Sequence, residues 1–202
     1  MVVLFSMQCS DKKRIIEYIE RNMTEKRRIH TYAVVEEAKA LSQRYGEDME
    51  KAELAALFHD FFRGVSEAAL NGYVRQLGLG PAYLDNANLA HSKIAAFIME
   101  RDYHVQDQDI INAVKYHTTG RAGMSKLEKI IYLADAIEPN RSYPRIEEIR
   151  ELACRDLDEA CLASLRHSID YVESRGLYLD QDTVMAKDSL IIYTNLKKGD
   201  RE

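Results

Sequence analysis

Six residues of this chain have side chains and spacing that could bind a metal ion or move a proton: His30, the adjacent pair His59 and Asp60, His91, His117 and Asp135. Asp135 lies in the run IIYLADAI, and His59 and Asp60 directly follow AALF, so these polar groups fall in stretches whose neighbours are core-forming. A bare carboxylate in an apolar interior is driven to protonate or to find a cation, and a divalent metal with imidazole co-ligands compensates several such groups together. Taken singly, each residue is more readily explained as a packed histidine, a cap or a salt-bridge partner. The ordered set, with each member on a different expected helix or its end, is what points to a shared metal site.

The elements that must position these groups are helical. Only nine Gly and three Pro punctuate the chain, strand-type alternation is scarce, and apolar residues recur at three and four almost everywhere. The expected fold class is all-α, a compact helical bundle. Asp11 to Met23 reads as an amphipathic helix behind a Ser10 cap; Thr24 opens a second that carries His30 and stops at Gly46. A third, Asp48 to Phe62, contains His59 and Asp60 close to its end. Ser66 to Leu77 follows, and GLGP breaks it. His91 to Asp102 and Asp107 to Tyr116 come next, His91 opening the first and His117 closing the second. Ser125 with Glu128 forms a capping-box pattern ahead of IIYLADAI, which Pro139 ends. Two long helices, about Asp156 to Arg175 and Asp182 to Lys197, make up the tail. With no repeat and no linker, residues 10–202 read as one domain behind a leader of residues 1–9. The apolar MVVLFSM is too short and lacks the flanks of a signal peptide or membrane span, so a cytoplasmic protein is expected, with Met1 or Met7 as its start.

A net charge of −5 over 202 residues argues against a nucleic-acid polymer as partner, since that needs an extended cationic surface. A small anionic ligand needs only a few local cations, and Lys26, Arg27, Arg28, Arg63, Lys93, Arg121 and Arg141 lie near the histidines in sequence. Cys9, Cys154 and Cys161 contain no CxxC pair and are expected as free thiols.

The ordered His, His-Asp and distal Asp resemble the HD phosphohydrolase superfamily. Around His117 the stretch KYHTTGRAGMSKLEKIIYLADAIEPNR is similar to the YqeK family of symmetrical bis(5′-nucleosyl)-tetraphosphatases, and the similarity extends from about Arg27 through AALFHD and LAHS to beyond Arg141. The resemblance implies an HD-type bundle in which His30, His59, Asp60 and Asp135 hold an iron-type centre, while His91 and His117 face the phosphates or a second metal. Two imidazoles and two carboxylates suit iron, manganese or another divalent ion and leave positions open for water and phosphate oxygen. Such an ion would lower the pKa of its water toward neutrality and polarise a phosphoryl oxygen, with Asp60 helping to orient that water. His91 or His117, if protonated, could neutralise charge on the leaving phosphate; hydrogen bonding to the ligands is the alternative.

Around that set, Arg27 would project from nearly the same helical face as His30, and Arg141 follows Asp135 past a proline turn, so both could grip phosphate. Arg63, Gly64, Val65 and Ser66 come directly after the His-Asp pair and could line the substrate site or form a solvated loop, since FFRGVSE departs from the lysine or related residue usual there in the family. His104, His167 and the tyrosines read as surface, capping or packing residues. The implied activity is metal-dependent hydrolysis of diadenosine tetraphosphate to two ADP. Alternatives are another HD-type nucleotide phosphohydrolase, a cyclic-nucleotide phosphodiesterase or a nucleotide sensor. The tail helices could complete the core or form a seam, and the resemblance implies a homodimer.

Overall fold

A computed structural model describes residues 9–199; the leader falls outside them, except that Cys9 already begins the first helix. The described residues form ten α-helices and one 3-10 turn, Pro81–Tyr83, without a strand: α1 (Cys9–Asn22), α2 (Glu25–Tyr45), α3 (Met49–Phe58), α4 (Glu67–Gln76), α5 (Ala87–Tyr103), α6 (Gln108–Tyr116), α7 (Lys126–Ile137), α8 (Ile146–Ala153), α9 (Leu157–Ser174) and α10 (Gln181–Gly199).

The caps explain most boundaries. Thr24 accepts from the Arg27 amide, Asp48 from those of Glu50 and Lys51, Asp107 from those of Asp109 and Ile110, and Ser125 from that of Glu128. Gly46, in the left-handed region at φ 66°, closes α2. Three expectations are corrected. The third helix stops at Phe58 rather than Phe62, so His59 and Asp60 sit in the turn just beyond it. His91 does not open its helix; Asn86 caps α5, which places His91 one turn inside. The α8 helix was not expected at all, and its cap residue Arg145 has φ 68° and no side-chain cap.

At the centre α7 packs against α2, α3, α6 and α9. Its Leu127, Ile130, Ile131 and Leu133 are fully buried with Leu54, Leu57 and Phe58 of α3, Ile94 and Met99 of α5 and Ile110 of α6. Burying each such side chain contributes roughly 1.5–3 kcal/mol. Tyr18 stacks on Phe61 and Tyr103 meets Phe58 edge to face, which fixes the turn after α3 against α1 and α5. The tail completes the core through Ala160, Cys161 and Leu165 of α9 and Ala186 and Leu190 of α10, while Met185, Ile192 and Leu196 stay exposed along α10. Cys154 and Cys161 are free. No described helix is long and apolar enough to cross a membrane.

Candidate metal centre

The packing of α2, α3, α5, α6 and α7 brings all six chemistry-bearing residues to one place. His30 projects from α2, His59 and Asp60 from the turn after α3, His91 from α5, His117 from the C-terminal cap of α6 and Asp135 from α7. All four histidines and Asp60 are buried. Asp135 differs: Leu133 and Ala134 beside it are in the core, but its own side chain is 20% exposed and turns toward His30.

Two triads of donor atoms result, each lying within 4.8 Å of one another: His30, His59 and Asp60, and then Asp60, His91 and His117. Asp60 belongs to both. Its Oδ2 stands 3.7 Å from His30 Nε2 and 3.8 Å from His59 Nε2, while its Oδ1 stands 3.3 Å from His91 Nε2. Asp135 Oδ1 joins the first triad, 3.1 Å from His30 Nε2.

Ring orientation follows from what each Nδ1 meets. His59 Nδ1 lies 2.6 Å from the Ala56 carbonyl, His91 Nδ1 2.9 Å from that of Ala87 and His117 Nδ1 2.8 Å from that of Val114. A carbonyl can only accept, so each Nδ1 carries the hydrogen and each neutral ring turns an Nε2 lone pair inward. Burial lowers the pKa of His59, His91 and His117, the last reinforced by the neighbouring imidazoles, so these rings are neutral at neutral pH. His91 and His117 therefore offer lone pairs rather than the positive charge that a protonated ring would bring. His30 behaves otherwise: burial opposes its charged form, but Asp135 and Glu138 outweigh that and raise its pKa. Burial also works against ionised Asp60 and Asp135, yet the arginines on Asp60, and His30 with Arg141 on Asp135, hold both carboxyls well below the usual range.

This donor set fits a metal. His91 Nε2 and His117 Nε2 face each other at 3.0 Å, and His30 Nε2 and His59 Nε2 at 3.2 Å. For His91 and His117, two neutral rings whose Nδ1 hydrogens are spent, that separation is repulsive unless a cation lies between them. The Thr118 hydroxyl, 3.2 Å from His117 Nε2 and 3.4 Å from His91 Nε2, can donate to only one. Nitrogen ligands about 2.1 Å from an ion and at right angles stand about 3 Å apart, which matches both pairs. The His/Asp cluster is thus suited to divalent metal.

The arginines divide. Arg27 donates to Asp60 Oδ2, and Arg63 donates to Asp60 Oδ1 at 3.0 Å and to Asn88. Arg141 pairs with the Asp135 carboxylate and also donates to its main-chain carbonyl at 2.9 Å. Beside them opens a cleft of about 710 Å³ lined by Thr24, Lys26, Arg27, His30, Glu138 and Arg141, among others. Gly64, Val65 and Ser66 do not line it: Gly64 makes a turn at φ 85°, Val65 packs on the core and the Ser66 hydroxyl caps α4. Lys93 and Arg121 are committed to Asp182 and Glu128. His104 is a left-handed helix cap, His167 stacks on Tyr143, and the Tyr132 hydroxyl accepts from Ser164 away from the centre.

Two residues at the centre were not singled out by sequence, Thr118 and Glu138. Both lie inside the quoted motifs HTTG and AIEPNR, where a hydroxyl beside a candidate ligand and a carboxylate ahead of a helix-ending proline were the available signals.

The chain is similar to known proteins in sequence and in fold. The HD domain family model matches residues 27–140. The chain is 35% identical over 182 residues to a symmetrical bis(5′-nucleosyl)-tetraphosphatase of Bacillus subtilis (strain 168), covering 90% of this chain and 98% of that one. It is 39% identical over 135 residues to the protein of the same name in Staphylococcus aureus (strain NCTC 8325 / PS 47), covering 66% of this chain and 70% of that one. A crystal structure from Clostridium acetobutylicum, described as a predicted HD superfamily hydrolase involved in NAD metabolism, is similar with a TM-score of 0.85 at 35% identity, covering 90% of this chain and 97% of that one. With its two histidine-aspartate triads inside the matched segment, the chain belongs to the HD-domain family and, within it, to the group of the symmetrical bis(5′-nucleosyl)-tetraphosphatases.

Proposed function

We propose that this protein hydrolyses diadenosine tetraphosphate and related dinucleoside polyphosphates symmetrically, so that water adds at a phosphorus flanking the central anhydride oxygen and two ADP leave. The observation that carries the reading is Asp60 shared between two triads of buried donors beside an arginine-lined cleft. The names of the similar proteins supply the class of substrate, a bis(5′-nucleosyl) tetraphosphate cut symmetrically.

In this reading His30, His59, Asp60 and Asp135 hold one ion, and Asp60, His91 and His117 hold a second. Iron is the expected metal, with manganese or another divalent ion able to replace it, given the mixed nitrogen and oxygen donors. When bound, the metal supplies an activated water and stabilisation of charge developing on the phosphoryl oxygens. Arg27 and Arg141 at the cleft bind phosphate oxygens through charge-assisted hydrogen bonds and hold the chain of phosphates along the donors. Arg63 keeps Asp60 oriented and ionised. Thr118 donates into the space between His91 and His117.

The protein acts as one domain over residues 10–202, in the cytoplasm and as a homodimer; the exposed apolar strip of Met185, Ile192 and Leu196 supports association. Light scattering tests the dimer.

The deciding experiment pairs metal analysis of freshly purified protein with chromatography of the products from diadenosine tetraphosphate. Two ADP per substrate, dependent on bound metal, is the expected result. Release of AMP with ATP, or of inorganic phosphate, overturns the symmetrical cut, and metal-independent turnover overturns the metal centre. Nucleotide binding without turnover in metal-loaded protein would make it a sensor.

A further inference from the structure

His59, His91 and His117 each direct Nδ1 to a main-chain carbonyl three or four residues back, so local backbone sets their rings. His30 does not. It sits within α2, and its Nδ1 lies 3.1 Å from Oε1 of Glu138, a residue 108 positions away in sequence. Glu138 is 2% exposed. Its second oxygen, Oε2, accepts from the Asn140 main-chain N–H at 2.7 Å and from Asn140 Nδ2 at 2.9 Å. Its main-chain carbonyl accepts from Arg150 at 2.8 Å, so the backbone is held independently of the side chain. With Oε2 occupied by two donors, Oε1 is a fixed acceptor aimed at the His30 ring.

We propose that Glu138 is a positioning residue of the metal centre, which accepts the Nδ1 hydrogen of His30 and so holds the His30 Nε2 lone pair toward His59, Asp60 and Asp135. The inference rests on the reading of His30 as a metal ligand. A carboxylate partner both fixes the tautomer of a ligating imidazole and makes it a stronger donor.

The two faces of Glu138 give a test that separates this role from filling space or steadying the turn. In Glu138→Gln the amide has one acceptor and one donor end. If the oxygen faces His30, the NH₂ group meets two Asn140 donors; if it faces Asn140, the NH₂ group meets Nδ1 and drives the ring hydrogen onto Nε2, where the metal must bind. The isosteric variant should therefore keep the fold and lose metal. In manganese titrations of the full-length protein followed by electron paramagnetic resonance, Glu138→Gln and Glu138→Ala are both expected to weaken His30-site binding roughly 10–100-fold. The thermal midpoint of metal-free Glu138→Gln should stay within a few degrees of wild type, and its deficit in turnover should shrink as manganese is raised.

Wild-type manganese affinity in Glu138→Gln overturns the inference, including the case in which only Glu138→Ala is weakened. A wild-type protein that binds no manganese, iron or zinc sinks the metal-centre reading and the inference with it. Should both variants fail to fold, nitrogen NMR of the zinc-loaded wild type decides: a proton on His30 Nδ1 with the metal on Nε2 is expected, and ligation through Nδ1 overturns it.

Discussion

Lys51 of α3 and Asp107, the cap of α6, form an ion pair at 2.7 Å that ties together the two helices whose C-terminal ends present His59 and His117. Asp107 also accepts from the amides of Asp109 and Ile110. Burial works against its charge, but Lys51 and these amides prevail and lower its pKa below the ordinary value.

The stabilisation from that charge is complete above the unfolded-state pKa of about 3.9 and is lost as pH falls through the lower folded value. Asp107→Ala should cost about 1–2 kcal/mol at pH 7 from the lost cap and pair. Asp107→Asn, which keeps a good cap, should cost less. Urea denaturation at a series of pH values is expected to show the gap between wild type and Asp107→Asn closing as acid is added; a gap constant from pH 7 to pH 2 would dismiss the account.

Removing metal should destabilise the protein as well as silence it, because His91 Nε2 and His117 Nε2 then lose the cation that reconciles them. An ion present at 100 times its dissociation constant adds about 2.7 kcal/mol. For a chain of this size that corresponds to roughly 5–10 °C in Tm. Calorimetry before and after chelation measures it, and an unchanged midpoint would mean that no ion is bound in the folded state.

His117→Ala removes a donor from the triad that His30 does not share. Metal per chain should fall by about one ion while the other is retained, and turnover should drop by 100-fold or more. Elemental analysis of the purified variant reads the first quantity. Full metal content in His117→Ala would return His117 to the phosphate-facing alternative.

Arg27→Ala and Arg141→Ala are expected to lower kcat/KM by roughly 10–100-fold, through loss of charge-assisted bonds to phosphate. Lysine should restore little, lacking the planar fork. Steady-state kinetics with full metal loading separates this from weaker metal retention, and unaltered kcat/KM would confine the two arginines to supporting Asp60 and Asp135.

Gly120 lies at φ 66°, and a Cβ there would come 2.9 Å from Ala186 Cβ of α10. Gly123 has the same φ but open space around it. Gly120→Ala should therefore destabilise by about 2–4 kcal/mol and Gly123→Ala by about 1 kcal/mol. Equal midpoints in urea for the two variants would show that α10 yields without loss.

Much of this was legible in the sequence for physical reasons. Caps and breakers such as Thr24, Gly46, Ser125 and Pro139 act locally, and the all-α class followed from apolar spacing. His59, Asp60 and Asp135 were visible because acids and imidazoles in core-forming runs need compensation, and His30, His91 and His117 by their place in the ordered set and in the resemblance. What stayed hidden depended on long-range contacts. The α3 boundary at Phe58 is set by the turn that Tyr18 and Phe61 pack down, and α8 begins behind an Arg145 in the left-handed region, which has no capping signal. Ser66 caps α4, as a serine opening the expected helix does, and does not line the cleft. The pairing of Glu138 with His30 joins two ends of the matched region.

The bonds from His59 and His117 to the carbonyls of Ala56 and Val114 carry a further consequence. Both rings take their aim from the last turns of short helices, and those turns are buried, the first pinned by Tyr18 and Phe61. The aim of the donors therefore rests on the same packing that holds the bundle together. Warming should disarm the enzyme only as its helices melt, so that activity and the circular-dichroism signal fall together.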